Sequence, residues 1–164
     1  MQTEIRQAII KDAKAISDIW KIICNERIYT AVNKPFTTEQ VRSYIKSLSD
    51  REGIFIAIIN DLIVGFQSLD MWAKYTDSFD HVGVIGTFIL PKWRGMKISS
   101  HLANYTFDFA RDKGYEKLII YVRSGNKNAC VFYKKLGFVP KGVLKKQVRI
   151  DGKYEDEIFM ELFL

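Results

Sequence analysis

The residues best suited to chemistry lie in one short segment, Pro91-Lys-Trp-Arg94-Gly95-Met-Lys97-Ile-Ser99-Ser100. It joins an apolar run over residues 84–90 to a helical pattern that begins near Ser99. A strand that feeds a helix through a short turn leaves several backbone N–H groups unpartnered at the positive end of the helix dipole. Arg94 adds a positive charge, and Gly95 permits a backbone conformation that a side chain would obstruct. The segment therefore predicts an anion site suited to phosphate.

The spacing of this segment excludes the two most common phosphate-binding motifs. The sequence contains neither Gly-x-x-x-x-Gly-Lys-Ser/Thr nor Gly-x-Gly-x-x-Gly after a strand. The segment resembles the pyrophosphate loop of the GNAT-type N-acetyltransferases, Arg/Gln-x-x-Gly-x-Gly/Ala, with Arg94 and Gly95 in register. Lys97 stands where that family usually has Gly, and Ser99 where it has Gly or Ala. Lys97 must therefore adopt a backbone conformation that suits a residue with a side chain.

A second block carries the same resemblance. It reads Asn126-Lys-Asn-Ala129-Cys-Val-Phe132-Tyr133-Lys-Lys-Leu136-Gly137-Phe138, similar to the family pattern Asn-x-x-Ala-x-x-(apolar)-Tyr-x-x-Leu-Gly-Phe. The ending, residues 142–160, is similar to the phosphinothricin and amino-acid acetyltransferase branch. The resemblance implies an N-acetyltransferase that moves an acetyl group from acetyl-CoA directly to a primary amine of a small molecule or amino acid. A protein N-terminal acetyltransferase and a non-catalytic acyl-CoA-binding sensor stay open as alternatives.

The resemblance also implies a set of cofactor-binding residues. The strand before the loop is expected to pair with the pantetheine arm and to aim a backbone N–H at the thioester oxygen. Ser99, Ser100 and Asn126 are open to a second interpretation, as helix caps. The predicted cofactor-binding residues are Phe88, Ile89, Leu90, Arg94, Gly95, Met96, Lys97, Ile98, Ser99, Ser100, Asn126 and Tyr133.

Tyr133 is the predicted general acid because it occupies the tyrosine position of the family pattern. A phenol with an ordinary pKa of about 10 is a reasonable proton donor to an alkyl thiolate. The alternative is an aromatic core residue beside Phe132.

The sequence offers several candidates for the general base. Many relatives carry Glu at the position of Val84, which cannot accept a proton. His81 lies upstream in the same segment and has a suitable intrinsic pKa, so it is the predicted base, with an exposed strand-start residue as the alternative. Asp70, Asp80, Glu157 and a water chain stay open as other bases.

The bulk properties predict one domain over residues 1–164, of 48% hydrophobic residues. The sequence shows no apolar run of about 20 residues and no leader-like start, which predicts a cytoplasmic protein with no membrane contact. Two histidines and two separated cysteines predict no metal site. The net charge of +6 suits a polyphosphate coenzyme, and no nucleic-acid motif accompanies it. A homodimer is compatible with the sequence.

The apolar periodicity predicts a mixed, mostly antiparallel α/β sheet of about seven strands flanked by about four helices, as in GNAT folds. A parallel pair is expected where the third helix crosses over between two strands. The predicted strands are 3–8, 54–59, 62–69, 82–90, 118–122, 143–150 and 155–163. The predicted helices begin near 11 and 38 and span 99–112 and 126–136. The predicted substrate-selecting segments are 20–35, 72–80 and the hairpin around Tyr154.

Overall fold

The computed structural model describes residues 2–164, and its helices and strands follow the predicted order. The strands are β1 (Glu4–Gln7), β2 (Gly53–Ile59), β3 (Leu62–Met71), β4 (Val82–Ile89), β5 (Lys117–Arg123), β6 (Val139–Ile150) and β7 (Lys153–Phe163). The helices are α1 (Ala13–Asn25), α2 (Thr38–Ser47), α3 (Ile98–Asp112) and α4 (Lys127–Lys135). The largest difference is the early start of β6, where Val139 already pairs with Glu161 of β7.

The seven strands form one sheet in the order β1-β2-β3-β4-β5-β7-β6. Every neighbouring pair is antiparallel except β4 and β5, which are parallel because α3 connects them. The predicted mixed, mostly antiparallel sheet with four helices is confirmed.

The parallel pair β4–β5 is incomplete. Only Val82, Gly83 and Val84 have partners in β5, whereas β4 continues to pair with β3 as far as Ile89 opposite Gly65. Beyond Val84, the edge of β4 that faces β5 therefore carries backbone groups without a strand partner. This separation of two parallel strands forms the floor of the candidate active site.

Helices cover both faces of the sheet. On one face α3 buries Leu102 and Phe107 against the central strands, and on the other α1 buries Ile16 and Ile23. Each buried apolar side chain of this kind stabilises the fold by about 1.5–3 kcal/mol. The two layers hold the ends of α1, α3 and α4 around the β4–β5 separation.

The start of α2 shows how local sequence sets an element boundary. Thr37 is the N-cap: its hydroxyl accepts from the Gln40 amide at 3.2 Å, and the Gln40 side chain accepts from the Thr37 amide at 2.9 Å. This reciprocal pair is a capping box. Among residues 2–164, no helix combines the length and the hydropathy needed to span a bilayer.

Candidate active site

A groove of about 510 Å³ opens where β4 and β5 separate. Its walls come from the end of β4, the loop before α3, the first turn of α3 and the inner face of α4. Of the predicted cofactor-binding residues, it is lined by Phe88, Ile89, Arg94, Gly95, Lys97, Ser99, Ser100, Asn126 and Tyr133. Leu90, Met96 and Ile98 do not line it.

The loop before α3 presents free backbone donors to this groove. Gly95 and Lys97 both adopt left-handed conformations, with φ of 78° and 61°. Within residues 2–164, the amides of residues 95–99 donate to no protein acceptor, and the first helical bond of α3 runs from Ser100 N to Lys97 O at 3.0 Å. Successive amides in such a turn form a concave anion site. Lys97 thus adopts the conformation for which the family pattern has Gly.

The capping interpretation of the two serines does not match the start of α3. Its N-cap is Lys97, which makes no side-chain capping bond, and Ser99 and Ser100 lie in the first turn facing the groove. Asn126 does cap α4, since its side chain accepts from the Ala129 amide at 3.2 Å, and it also lines the groove. Ile98 is buried in the core, so only its amide is available to a ligand.

The direction of the β4 amides corrects which of the predicted residues present a free backbone donor to the groove. Leu90 donates its amide to Val64 O of the β3 side at 2.9 Å, so that amide is occupied. Backbone groups of successive residues in a strand point to opposite neighbours. The Phe88 amide therefore also faces β3, and the amides of Thr87 and Ile89 face the groove. Sequence reasoning missed Thr87 because the direction depends on strand register.

Arg94 lies at the mouth of the groove and is already paired. Its guanidinium donates to both carboxylate oxygens of Glu26, at 2.8 and 2.6 Å, and its Nε donates to Ile89 O at 3.0 Å. The guanidinium also stacks 4.1 Å from the ring centre of Tyr29. The hydrogen bonds to Glu26 raise the pKa of Arg94. Arg94 thus ties the loop before α3 to the segment after α1, and Glu26 neutralises part of the charge expected there.

For the acetyl-CoA-dependent reaction expected from the sequence, Arg94→Ala should raise the KM for acetyl-CoA about 10-fold or more and leave kcat at saturation largely unchanged. The variant removes a cation and leaves the Glu26 carboxylate unpaired at the groove mouth, and hydrogen bonds to charged groups are worth about 1.5–3 kcal/mol. Steady-state kinetics with varied acetyl-CoA measures both constants. Glu26→Gln is the matched control, because it weakens the same pair but keeps the cation, and its KM should not rise. An unchanged KM in Arg94→Ala would contradict the assignment.

Tyr133 projects from α4 into the core side of the groove. Its hydroxyl donates to Thr87 Oγ1 at 2.8 Å, and Thr87 Oγ1 also accepts from Gln67 Nε2 at 2.7 Å. Burial raises the pKa of Tyr133 well above that of an ordinary phenol, and the Thr87 hydrogen bond only partly offsets it. This corrects the expectation of an ordinary pKa. Tyr133 is a neutral hydrogen-bond donor throughout the range in which enzymes work.

The structure does not bring His81 to the groove. His81 is exposed at the opposite end of β4, six residues before Thr87, which corresponds to about 20 Å along a strand. Its carbonyl accepts from the amides of Glu116 and Lys117, a structural role. Asp80 and Glu157 line neither the groove nor the neighbouring cavity, whereas Asp70 lines the latter.

A second cavity of about 430 Å³ lies beside the groove, between β3, β4 and helices α1 and α2. Phe88 lines both spaces, so the two adjoin at the end of β4. Trp20 and Phe36 from the first predicted substrate-selecting segment and its flank form part of its wall. The other two predicted segments do not reach it: Trp72 packs 6.1 Å from the ring of Tyr121, and Tyr154 is exposed.

Residues 17–138 match the family model described as the acetyltransferase (GNAT) family. The chain belongs to the GNAT family of acetyltransferases. An uncharacterized N-acetyltransferase of Methanocaldococcus jannaschii is 32% identical over 112 residues, which cover 66% of this chain but only 50% of that protein. The L-amino acid N-acyltransferase MnaT of Escherichia coli is 24% identical over 98% of this chain and 93% of its own length.

Solved structures show the same fold in this GNAT family. YncA of Salmonella typhimurium, solved with its cofactor acetyl-CoA, matches 99% of this chain and 94% of its own with a TM-score of 0.91 at 20% identity. A phosphinothricin acetyltransferase of Sinorhizobium meliloti, in complex with acetyl-CoA, matches 100% of this chain and 89% of its own with a TM-score of 0.89 at 17% identity. The expectation of an acyl-CoA-dependent N-acetyltransferase is confirmed at the level of the family.

Proposed function

We propose that this GNAT protein transfers an acetyl group from acetyl-CoA directly to the primary amine of a small molecule or amino acid. One observation carries the proposal: a single groove joins Gly95, Lys97 and Ser99, whose amides are free, to the free edge of β4 and to the buried phenol of Tyr133. The amides suit the diphosphate of the coenzyme, and the β4 edge suits its amide-containing pantetheine arm.

The groove supplies a donor for the oxyanion and a donor for the leaving sulfur, and none of the predicted bases lines it. A C–N bond forms at the thioester carbon and the C–S bond breaks. The amine gives its proton to solvent water, and the departing thiolate takes one from solvent. The amide of Thr87 or Ile89 stabilises the developing oxyanion, a contribution of about 10²-fold or more for a fixed donor. Tyr133 donates a hydrogen bond to the departing sulfur. Neither cysteine lines the groove, which supports direct transfer over an acetyl-cysteine intermediate.

Thiol release tests this proposal. The protein is incubated with acetyl-CoA and a panel of amines, amino acids and short peptides, and free coenzyme A is followed with a thiol reagent. We expect thiol release that depends on an amine and equals the amount of N-acetyl product. Varying both substrates should give intersecting double-reciprocal lines. Parallel lines indicate a covalent acetyl-enzyme and would contradict direct transfer, and no turnover with any amine would contradict the proposed function.

A further inference from the structure

The second cavity has the composition of a pocket for an apolar molecule with a charged end. Its walls are aromatic, with Trp20, Phe36, Tyr44, Phe66 and Phe88 all lining it. Its floor is formed by two small residues, since Ser68 lies opposite Gly86 in the β3–β4 register. A Cβ on Gly86 would lie 3.1 Å from the Phe88 ring and 3.3 Å from Ser68 Oγ. The absence of a side chain at Gly86 therefore keeps the floor free between the two walls.

Asp70 is the one charged side chain among the lining residues of this cavity. Within residues 2–164, its carboxylate has no Lys, Arg or His at ion-pair distance and accepts a hydrogen bond from the Tyr44 hydroxyl. Lys74 is the basic residue that interacts electrostatically with Asp70, but its ammonium forms an ion pair with Glu52 at 2.9 Å. Burial, the main cause, raises the pKa of Asp70. Removing a carboxylate from water without a cationic partner costs free energy. The residues that line this cavity supply no such partner for Asp70.

The strand register gives the distance between Asp70 and the groove. In the β3–β4 register Asp70 pairs with Val84, and three further residues along β4 lead to Thr87, whose amide faces the groove. Three residues of a strand span about 10 Å. A group held by Asp70 thus lies at the far end of the cavity from the expected thioester, too far to be the reacting nitrogen itself.

On the basis of the proposed function, we propose that the acceptor is a diamine with an apolar spacer: Asp70 binds one ammonium group while the other amine enters the groove at Phe88. The aromatic walls contact the spacer and favour a cation over an anion through their ring faces. The same chemistry disfavours an acceptor whose carboxylate would enter the cavity, because two carboxylates in a partly buried space repel each other. The lining contains no Lys or Arg to bind such a carboxylate.

Three matched probes test this inference: para-xylylenediamine, para-methylbenzylamine and para-(aminomethyl)benzoate. They share one benzylamine and differ only in bearing an ammonium, a methyl or a carboxylate group at the other end. We expect kcat/KM for the diamine to exceed that for the monoamine about 10-fold or more, as for a buried charged hydrogen bond, with the carboxylate probe poorest.

The Asp70→Asn variant shows whether the carboxylate is responsible for this order. Asn keeps the size of the side chain and still accepts from Tyr44, so kcat/KM should fall for the diamine through KM and stay near the wild-type value for the monoamine. Asp61→Asn is the matched control, since Asp61 is an exposed turn residue with φ of 63°, which Asn tolerates. It removes the same charge and should leave the order of the probes unchanged.

The outcomes separate the two proposals. Equal kcat/KM for the three probes would overturn the diamine inference and leave the acetyltransferase proposal intact. An equal loss of kcat for diamine and monoamine in Asp70→Asn would also overturn it, because Asp70 would then act as a base on the reacting nitrogen. No turnover of any probe or other amine would overturn the proposed function, and the inference with it.

Thermal stability gives a readout that does not depend on activity. Because the folded-state pKa of Asp70 is raised, its protonated form favours the folded protein. That stability is fully present below the unfolded pKa of about 3.9 and is lost as pH rises through the folded pKa. Asn does not titrate, so Asp70→Asn should melt above the wild type at pH about 8, and the gap should shrink toward pH about 4. The charged or titratable neighbours are Tyr44, Glu52, Lys74 and Tyr115. A variant that melts below the wild type at pH about 8 would contradict an unpaired, half-buried charge at Asp70.

Discussion

Replacing Tyr133 with Phe is expected to lower kcat about 10²-fold while the KM for acetyl-CoA changes little. The phenol is buried beside the β4 edge, and its hydroxyl donates to Thr87 Oγ1. Rotation about the C–O bond can redirect this O–H to the departing sulfur, while the ring stays in place. Removing one fixed donor to a developing negative charge typically costs 10²–10³-fold in kcat. Steady-state and single-turnover kinetics measure the effect on the chemical step.

The phenyl ring of the variant keeps the packing against Phe132 and Phe138, whose ring centres lie 5.1 and 5.4 Å away. The melting temperature should therefore fall only slightly. Tyr105→Phe is the matched control, because Tyr105 is an exposed residue of α3 outside the groove. Its kcat should equal that of the wild type. Normal turnover in Tyr133→Phe would contradict the role of the phenol.

The pH dependence of the wild type provides a second check on Tyr133. Burial raises the pKa of Tyr133 well beyond the ordinary value of about 10, so the phenol keeps its proton at least up to pH about 10. We therefore expect that ionisation of this phenol does not lower the kcat of the wild type between pH about 8 and 10. Any fall of kcat in that range should be present in Tyr133→Phe as well. A fall that the wild type shows and Tyr133→Phe lacks would indicate a phenol that ionises in the working range.

Replacing Ser99 with Asp is expected to weaken acetyl-CoA binding about 10²-fold without weakening the fold. Ser99 is the second residue of α3 and lines the groove beside the free amides of residues 95–99. A carboxylate there accepts hydrogen bonds from those amides and repels a diphosphate. The same carboxylate at a helix N-terminus stabilises the helix by about 0.3–1 kcal/mol. Calorimetric titration with coenzyme A and a melting curve measure both effects.

The control for this substitution is Ser99→Asn, which has the same shape without the charge and should bind the coenzyme within a few-fold of the wild type. A lower melting temperature together with weak binding would mean that the Asp variant damaged the loop. Unchanged coenzyme affinity in the Asp variant would mean that the diphosphate does not bind at this helix start.

The fold followed from the sequence because its signals are local. Alternating apolar runs, the turn at Asn60-Asp61 and the capping box at Thr37 each lie within a few residues of the element that they define. The crossover rule then placed the one parallel pair at β4–β5. The predicted start of β6 lies four residues late, because Val139 and Pro140 pair with β7 although they precede the strongest apolar alternation.

The candidate site was predictable where the chain itself forms the loop and not where distant segments meet. Gly95 and the helix start predicted free amides, which the structure shows. The Glu26 partner of Arg94 lies 68 residues away in the chain, and no local pattern signals it. Thr87 and Gln67 became visible only through the strand register and the Tyr133 hydrogen bond.

The choice between His81 and Asp70 illustrates the same limit. His81 lies in the right segment and is a residue type suited to proton transfer, yet it lies at the far end of β4 from the groove. Asp70 precedes β4 by twelve residues and is opposite Val84 only because β3 and β4 pair in that register. Burial and the lack of a cationic partner, which a sequence does not reveal, then distinguish Asp70 from the exposed acidic residues.

A crystal structure with bound coenzyme A tests the central claim most directly. The account predicts diphosphate oxygens within hydrogen-bond distance of the amides of residues 95–99, the pantetheine arm along the free edge of β4, and the sulfur beside Tyr133. Coenzyme A bound elsewhere on the protein, with those amides still unoccupied, would contradict it.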